Sequence, residues 1–249
     1  MINNKIKKII HDNNYEFIHI KSTTSTMTEV KNYLNQNNKN CIFLSDLQTE
    51  GRGQRGNLWV SSEGNLYCSM SFNNFLKIND YFLYNVLIAV SVKLSLEKFG
   101  AKKIKFKWPN DLFYEKSKFG GIISEVYNIN DNKKYIITGF GININSCPNL
   151  ININSTYVKS FCSVGDVGKF LIVFFDILFH YLNDLINKGS QNLINIFKNS
   201  LMFKNENIEI SLPNKSVIKG VFKDINIDGS LKLETNGNVR NIYNGSIKV

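Results

Sequence analysis

With 249 residues, 43% hydrophobic and 20% charged, the chain is long enough for one large domain, or one large and one small, around a globular core. Its formal charge of +10 suggests an anionic partner, but the lysines are scattered, densest at 5–8 and 102–107, and no RGG or Arg/Ser tract singles out nucleic acid. Four cysteines (Cys41, Cys68, Cys147, Cys162) without a C-x-x-C pair and three scattered histidines exclude a zinc ribbon, a thioredoxin motif and a His-based metal cluster; they read as buried thiols of a reducing compartment, with the cytoplasm as the expected location.

The N-terminal MINNKIKKIIHDNN lacks an apolar run long enough for a signal peptide. TSTMTEVKNYLNQ (24–36) reads as a loop entering a helix, with Thr26 and Glu29 at the T-x-x-E spacing of a capping box. CIFLSD (41–46) is a candidate strand. GRGQRG (51–56) then spells G-x-G-x-x-G. A dinucleotide fingerprint needs a strand directly before it and a helix after it. Here LQTE intervenes, and 57–72 reads as a strand in which Leu66, Cys68, Met70 and Phe72 alternate with Tyr67, Ser69 and Ser71. A flexible loop that offers backbone N–H groups and clamps an anion with Arg52 and Arg55 fits better; a surface turn with solvated arginines fits the same residues.

Residues 79–100 predict an amphipathic helix closed by Gly100. KIKFKW (103–108) predicts a strand stopped by Pro109 and the turn pair Asn110-Asp111. KFGGIISEVY (118–127) and KYIITGFGININ (134–145) are two further strands, both bearing glycine. A helical region follows from 164 to 203. Within it FLIVFFDILFHYL (170–182) is very apolar, but short and interrupted by Asp176 and His180, so a buried helix is expected rather than a membrane span. From 207 to 249 short strands with turns at PNK, DG and NG predict a small all-β barrel. The expected domains are 1–203 and 204–249; about 45 residues are marginal alone, so the second should pack on the first.

Four segments in order, TSTM, QTEGRGQRGNLW, KWPNDLF…KFGGIISE and TGFGININ, together with the C-terminal β module, resemble the biotin protein ligase family (biotin–[acetyl-CoA-carboxylase] ligase) over roughly residues 18–249. K-W-P-N-D followed by K-x-G-G-I is specific to that family, and with GRGQRG it points to the biotin branch rather than to the related lipoate ligases. The resemblance implies an α+β fold: a mixed β-sheet with flanking helices, class II synthetase-like, plus a small SH3-like β-barrel. It also implies a two-step reaction. Biotin attacks the α-phosphate of ATP, with Mg²⁺ accompanying ATP, to give biotinyl-5′-AMP. The acyl group then passes to a lysine of a biotin carboxyl carrier protein.

Lys118 matches the family lysine near the biotin carboxylate and the α-phosphate, where fixed positive charge lets two anions approach. Asp111 matches the aspartate that orients this lysine and accepts a proton from the carrier lysine. Arg52 matches the arginine of a glycine-rich loop that orders over the adenylate and excludes water. Ser25, Thr26, Gln48, Gly51 and Gly121, with Arg52 and Lys118, are the implied biotin contacts; a neutral ureido ring needs fixed hydrogen-bond partners, because a buried amide left unpaired costs about 1–3 kcal/mol. Arg55, Trp59, Asn110 and Asn143 join Arg52 and Lys118 toward the adenylate. Met27 stands where many members have Asn, and Gln54 where some carry a basic residue. Only some 20 residues precede TSTM, so no helix-turn-helix and no specific DNA binding are expected, nor any membrane partner; a homodimer is compatible with the family. The rivals are a lipoate or octanoate adenylate ligase and a basic, non-enzymatic nucleic-acid-binding protein.

Overall fold

The computed structural model describes residues 4–73, 81–130, 133–149 and 154–248. Its centre is a seven-stranded mixed sheet. In chain order the large part contains α1 (Asn4–Asp12), β1 (Glu16–Thr23), α2 (Thr26–Asn37), β2 (Cys41–Gln48), β3 (Leu66–Asn73), α3 (Phe82–Lys98), β4 (Ile104–Lys107), β5 (Asp111–Tyr114), β6 (Ser117–Asn130), β7 (Lys133–Ile142), α4 (Val167–Lys188) and α5 (Gln191–Asn199). The strand order is β1-β2-β3-β7-β6-β5-β4, with β1 parallel to β2 and the other pairs antiparallel.

Alternation along the strands divides the residues between two unequal cores. Ile42, Leu44, Leu66, Cys68, Met70 and Phe72 join the main core with α1, α3 and α4. Cys41, Phe43, Tyr135 and Ile137 face the other way and pack only under α2, against Met27, Val30 and Leu34. Helix α2 touches mainly β2 and β3 and barely reaches β6. Helix α2 also covers the start of β7, at Tyr135 and Ile137; from Gly139 across to β4 no helix lies over that face among the described residues, and the site lies there.

Several sequence expectations need correction. The segment 57–72 is a strand only from Leu66; 57–65 is loop. The expected helix 79–100 starts at Phe82, and positions 79 and 80 lie outside the described residues. It is not amphipathic: every residue from Phe82 to Val92 is buried, because α3 is wedged between the sheet and helices α4 and α5. Its one amide there, Asn85, accepts a 2.8 Å hydrogen bond from Ser124. Asp111 opens β5 rather than sitting in the preceding turn. The apolar stretch 170–182 belongs to a 22-residue helix, long and apolar enough to cross a membrane, whose Phe170, Phe174, Phe175, Leu178 and Leu182 are packed in the core. Thr26 is not a capping residue: Ser25 is the N-cap, without a side-chain cap bond, and Glu29 accepts from Thr23 Oγ1 at 2.6 Å. Cys147 is partly exposed, whereas Cys41, Cys68 and Cys162 are buried; burial pushes the Cys41 thiol up to about 12.

The C-terminal part forms a five-stranded antiparallel sheet, β8 (Asn207–Ser211), β9 (Val217–Ile225), β10 (Leu231–Thr235), β11 (Asn238–Ile242) and β12 (Ser246–Ile247), in the order β11-β10-β9-β8-β12, consistent with an SH3-like module. Asn236 and Gly237 both have positive φ, as a two-residue type I′ hairpin requires. The module packs on the larger sheet. Trp108 Nε1 donates to Gly229 O at 2.8 Å, and Phe222, Leu231 and Leu233 belong to the main core. Phe222→Ala should remove about 3–5 kcal/mol, and urea should unfold both parts in one shared, earlier transition. Two separated transitions would show that the module is an independent unit.

Candidate active site

Strand register organises the open face. Tyr67 of β3 pairs with Gly141 of β7, Gly141 with Gly121 of β6, Gly121 with Asp111 of β5, and Asp111 with Lys107 of β4. Directly opposed residues share a sheet face, so one row runs across five strands. Beside it lies a second row, Ser69–Gly139–Ile123. The glycines leave out the side chains that would fill this face. A Cβ on Gly141 would come 2.5 Å from Trp59 Cε2, one on Gly139 2.8 Å from Met27 Cγ, and one on Gly121 3.1 Å from Trp59 Cζ3. Gly121 thus makes room for the Trp59 ring and also lines the cavity. The face opens into a cavity of about 1210 Å³.

Its neutral end lies where α2 begins. Gln48 Oε1 accepts from the Thr26 backbone N–H (2.9 Å) and from Thr26 Oγ1 (3.1 Å), and Thr26 Oγ1 lies 2.7 Å from Ser69 Oγ. Gln48 Nε2 donates weakly to Ser61 Oγ at 3.5 Å. Ser25 is buried at the head of the helix. Sequence reasoning missed Ser69 as a site residue, although its place on the polar side of the β3 alternation was the available signal. Met27 packs beside this cluster, against the glycine floor.

The other end is charged. Lys118 Nζ and an Asp111 carboxylate oxygen are 2.6 Å apart, both side chains about one-fifth exposed. The ammonium also sits 5.5 Å from the centre of the Trp59 ring. The Lys118 backbone is pinned on its outer side, its N–H donating to Asn154 O and its carbonyl accepting from Thr156 N, each at 2.8 Å. Six cations line the cavity, Arg52, Arg55, Lys107, Lys116, Lys118 and Lys248, against the single carboxylate Asp111 among the described residues. Such an excess favours a polyanion and raises its local concentration. Lys107, which sequence reasoning left unassigned, is half-buried; burial lowers its pKa, opposed by Asp111 and helped by Lys118.

The segment 51–59 folds back on itself over this end. Trp59 N donates to Gly51 O at 2.8 Å, Gly53 N to Asn57 O at 2.7 Å, and Arg52 bridges Leu58. Arg55 takes φ +57, and Gly56, at φ +76, follows it. The exposed Arg52 reaches Thr28 Oγ1 at 3.1 Å. Arg55 lines the cavity, and its guanidinium donates to the carbonyl of Gly245 in the C-terminal module. Asn110 also lines the cavity, with its Nδ2 donating to Ile122 O at 2.9 Å. Asn143 lies just past β7, its Nδ2 on Thr156 O at 3.2 Å and its Oδ1 buried without a partner; Trp59 Nε1 is likewise buried and unpaired. Buried polar atoms of this kind are uncommon and suit a ligand that supplies the missing bond.

A magnesium site is not built into these side chains. Mg²⁺ usually takes one or two carboxylates plus substrate phosphates. Asp111 is engaged by Lys118, and no group of three or more His, Cys, Asp or Glu is poised for a metal among the described residues.

Fold and cavity together define an α+β domain whose cavity has a neutral hydrogen-bonding end, a cationic end and a loop folded over the latter. The biotin/lipoate A/B protein ligase family matches residues 19–143, and the chain belongs to it. It is 31% identical to the bifunctional ligase/repressor BirA of Bacillus subtilis over 131 residues, 52% of this chain and 40% of that one. It is 25% identical to the biotin–protein ligase of Schizosaccharomyces pombe over 233 residues, 82% of this chain and 36% of that one. The chain thus spans less than half the length of these curated relatives. The fold matches that of a solved biotin protein ligase from Aquifex aeolicus in complex with biotin and ATP, with TM-score 0.76 and 22% identity over 94% of this chain and 97% of that one.

The seating of Trp59 on the glycine floor can be tested directly. Gly141→Ala should push the ring off the sheet, cost about 1–3 kcal/mol of stability through overpacking, and raise acrylamide quenching of Trp59 fluorescence, while the buried Trp108 stays protected. Unchanged quenching would mean that the ring does not rest on Gly141.

Proposed function

We propose that this protein is an ATP-dependent ligase that activates biotin as biotinyl-5′-AMP and transfers it to a lysine of a biotin carboxyl carrier protein. The observation that carries the reading is the placement of two different ends in one cavity. The Thr26–Gln48–Ser69 cluster can hydrogen-bond a neutral cyclic urea, and the Lys118–Asp111 pair lies two strands along the same face. An octanoyl or lipoyl chain has no use for the first end. The names of the relatives, and a fold shared with a ligase solved with biotin and ATP, support the same conclusion.

In the first step a biotin carboxylate oxygen attacks the α-phosphorus of ATP and the bond to pyrophosphate breaks. Lys118 lowers the repulsion between the two anions and the charge that develops on the phosphoryl oxygens. Asp111 holds the ammonium in place, and the Trp59 ring below it fixes its approach. In the second step the carrier lysine, as a free amine, attacks the acyl carbon; AMP leaves, and Asp111 is placed to take the amine proton. The 51–59 segment with Arg52 screens the mixed anhydride from water. Asn143 Oδ1, unpaired at the cavity wall, is the acceptor left for the nucleotide end. Mg²⁺ would enter with ATP, held by the phosphates. A cytoplasmic setting and a homodimer belong to the same proposal.

Biotin-dependent exchange of labelled pyrophosphate into ATP tests the first step, with lipoate and octanoate run in parallel. Exchange with biotin alone is expected, and exchange with lipoate instead would overturn the substrate. Lys118→Ala should keep the fold and lower the exchange rate roughly 10²–10³-fold, the scale of one lost transition-state donor; near-normal exchange would remove Lys118 from the catalytic set. Arg52→Gly should let biotinyl-AMP escape and label bystander lysines. Labelling confined to the carrier would sink the screening role of this loop.

A further inference from the structure

The cavity contains one half-buried cation that the reaction as described leaves unused. Lys107 ends β4 at the far end of the row Tyr67–Gly141–Gly121–Asp111–Lys107. Neighbouring strands lie roughly 4.8 Å apart, so its Cα lies roughly 10 Å beyond that of Gly121, on the side away from the Thr26–Gln48–Ser69 cluster. Its side chain lines the same cavity as Lys118. The ammonium lies 5.6 Å from the centre of the Phe113 ring and forms no ion pair among the described residues; Asp111, its cross-strand partner, is engaged by Lys118. Holding a desolvated, unpaired ammonium costs free energy. Here burial lowers its pKa and Lys118 adds to the shift, while Asp111, engaged by Lys118, offsets it only in part. A ligand anion would complete the compensation.

Position decides which anion. Measured from the neutral end, the row reaches the glycines first, then Lys118 and Asp111, then Lys107. A biotin bound with its ring at Thr26 and its carboxylate at Lys118 places the α-phosphate beside Lys118. The rest of the triphosphate must continue past it. The other cations at this end are less suited. Lys248 already contacts Glu209 at 3.5 Å, Lys116 is exposed, Arg55 is held by Gly245, and the exposed Arg52 is turned to Thr28. We propose that Lys107 binds the β,γ-diphosphate of ATP, the group that departs as pyrophosphate in the first step and attacks in its reversal. The inference rests on the ligase reading for its chemistry but not for its test, since a diphosphate-binding lysine is detectable without turnover.

The test compares wild type with Lys107→Met and Lys107→Arg in two measurements. The first is pyrophosphate–ATP exchange with biotin saturating and pyrophosphate varied. The second is calorimetric binding of inorganic pyrophosphate and, separately, of biotin to the folded protein. The Met variant should raise the pyrophosphate KM and Kd roughly tenfold or more, as expected for loss of one charge-assisted hydrogen bond. Its biotin Kd should stay within about twofold of wild type, and its Tm should be equal or higher because an unpaired buried charge is gone. Arginine should restore part of the pyrophosphate affinity. If the pyrophosphate KM and Kd stay at wild-type values in the Met variant, Lys107 does not bind the diphosphate. If biotin affinity or Tm falls in step with pyrophosphate affinity, Lys107 serves the fold through Phe113 and the proposal fails. A wild type that binds pyrophosphate through Lys107 yet catalyses no exchange would leave this subsite standing and overturn the ligase reading.

Discussion

Three glycines on two adjoining strands are the constraint on which the site depends. A sheet covered on both faces has no place for a ligand, and here α2 covers one face only over β2, β3 and the start of β7. Beyond it Gly121, Gly139 and Gly141 remove the side chains that would otherwise fill the gap, and the indole of Trp59 and the thioether of Met27 settle against the bare backbone. Strand glycines normally cost stability through chain entropy and lost packing. In this sheet the cost is offset by burial on the opposite face, where Ile122, Phe140 and Ile142 lie in the main core. The same two strands therefore anchor the fold with one face and form the cavity floor with the other.

The floor also sets the electrostatics. Trp59 is held under Lys118 by the space over Gly121 and Gly141, so the ammonium has an aromatic face on one side and Asp111 on the other. A half-buried ion pair of this geometry is not strong support for stability, because desolvation cancels much of its attraction. It does fix a charge at a known point. Fixed charge serves transition-state stabilisation better than mobile charge, since no reorganisation is required when negative charge develops. The excess of lysines and arginines over the single carboxylate among the described lining residues concentrates positive potential in the cavity.

Much of this was legible in the chain, and the rest was hidden for physical reasons. The alternation of β3 assigned Leu66, Cys68, Met70 and Phe72 to one face and Tyr67, Ser69 and Ser71 to the other, because strand pleating has a strict period of two. Lys118 and Asp111 could be singled out from motif and charge, but not their 2.6 Å separation, which depends on a β-bulge between Leu112 and Phe113 that local sequence does not announce. The character of α3 was misread because amphipathicity assumes solvent on one side, and from Phe82 to Val92 this helix has protein on every side. Thr26 looked like a cap because T-x-x-E is a local pattern, whereas its hydroxyl is claimed by Ser69, 43 residues away. The carbonyl partners of Arg55 and Asn110 were not legible, because only tertiary structure brings Gly245 and Ile122 near them.

The same long-range logic explains why a module of about 45 residues, marginal by itself, belongs to the site. Its Gly229 carbonyl receives the Trp108 N–H, and the turn glycine at φ +84 leaves the space that Phe82 fills. Trp108 immediately precedes the Pro109–Asn110 turn that leads into Asp111, so the docking of the module and the start of β5 share one anchor. At its other end the module presents Gly245 to Arg55 and places Ser246, Ile247 and Lys248 in the cavity wall. The loop folded over the cationic end is thus held from both sides, by Thr28 of α2 through Arg52 and by the module through Arg55. A change in how the module docks would be felt at Asp111 and at the loop together, which ties a small, independently weak sheet to the geometry of the charged pair.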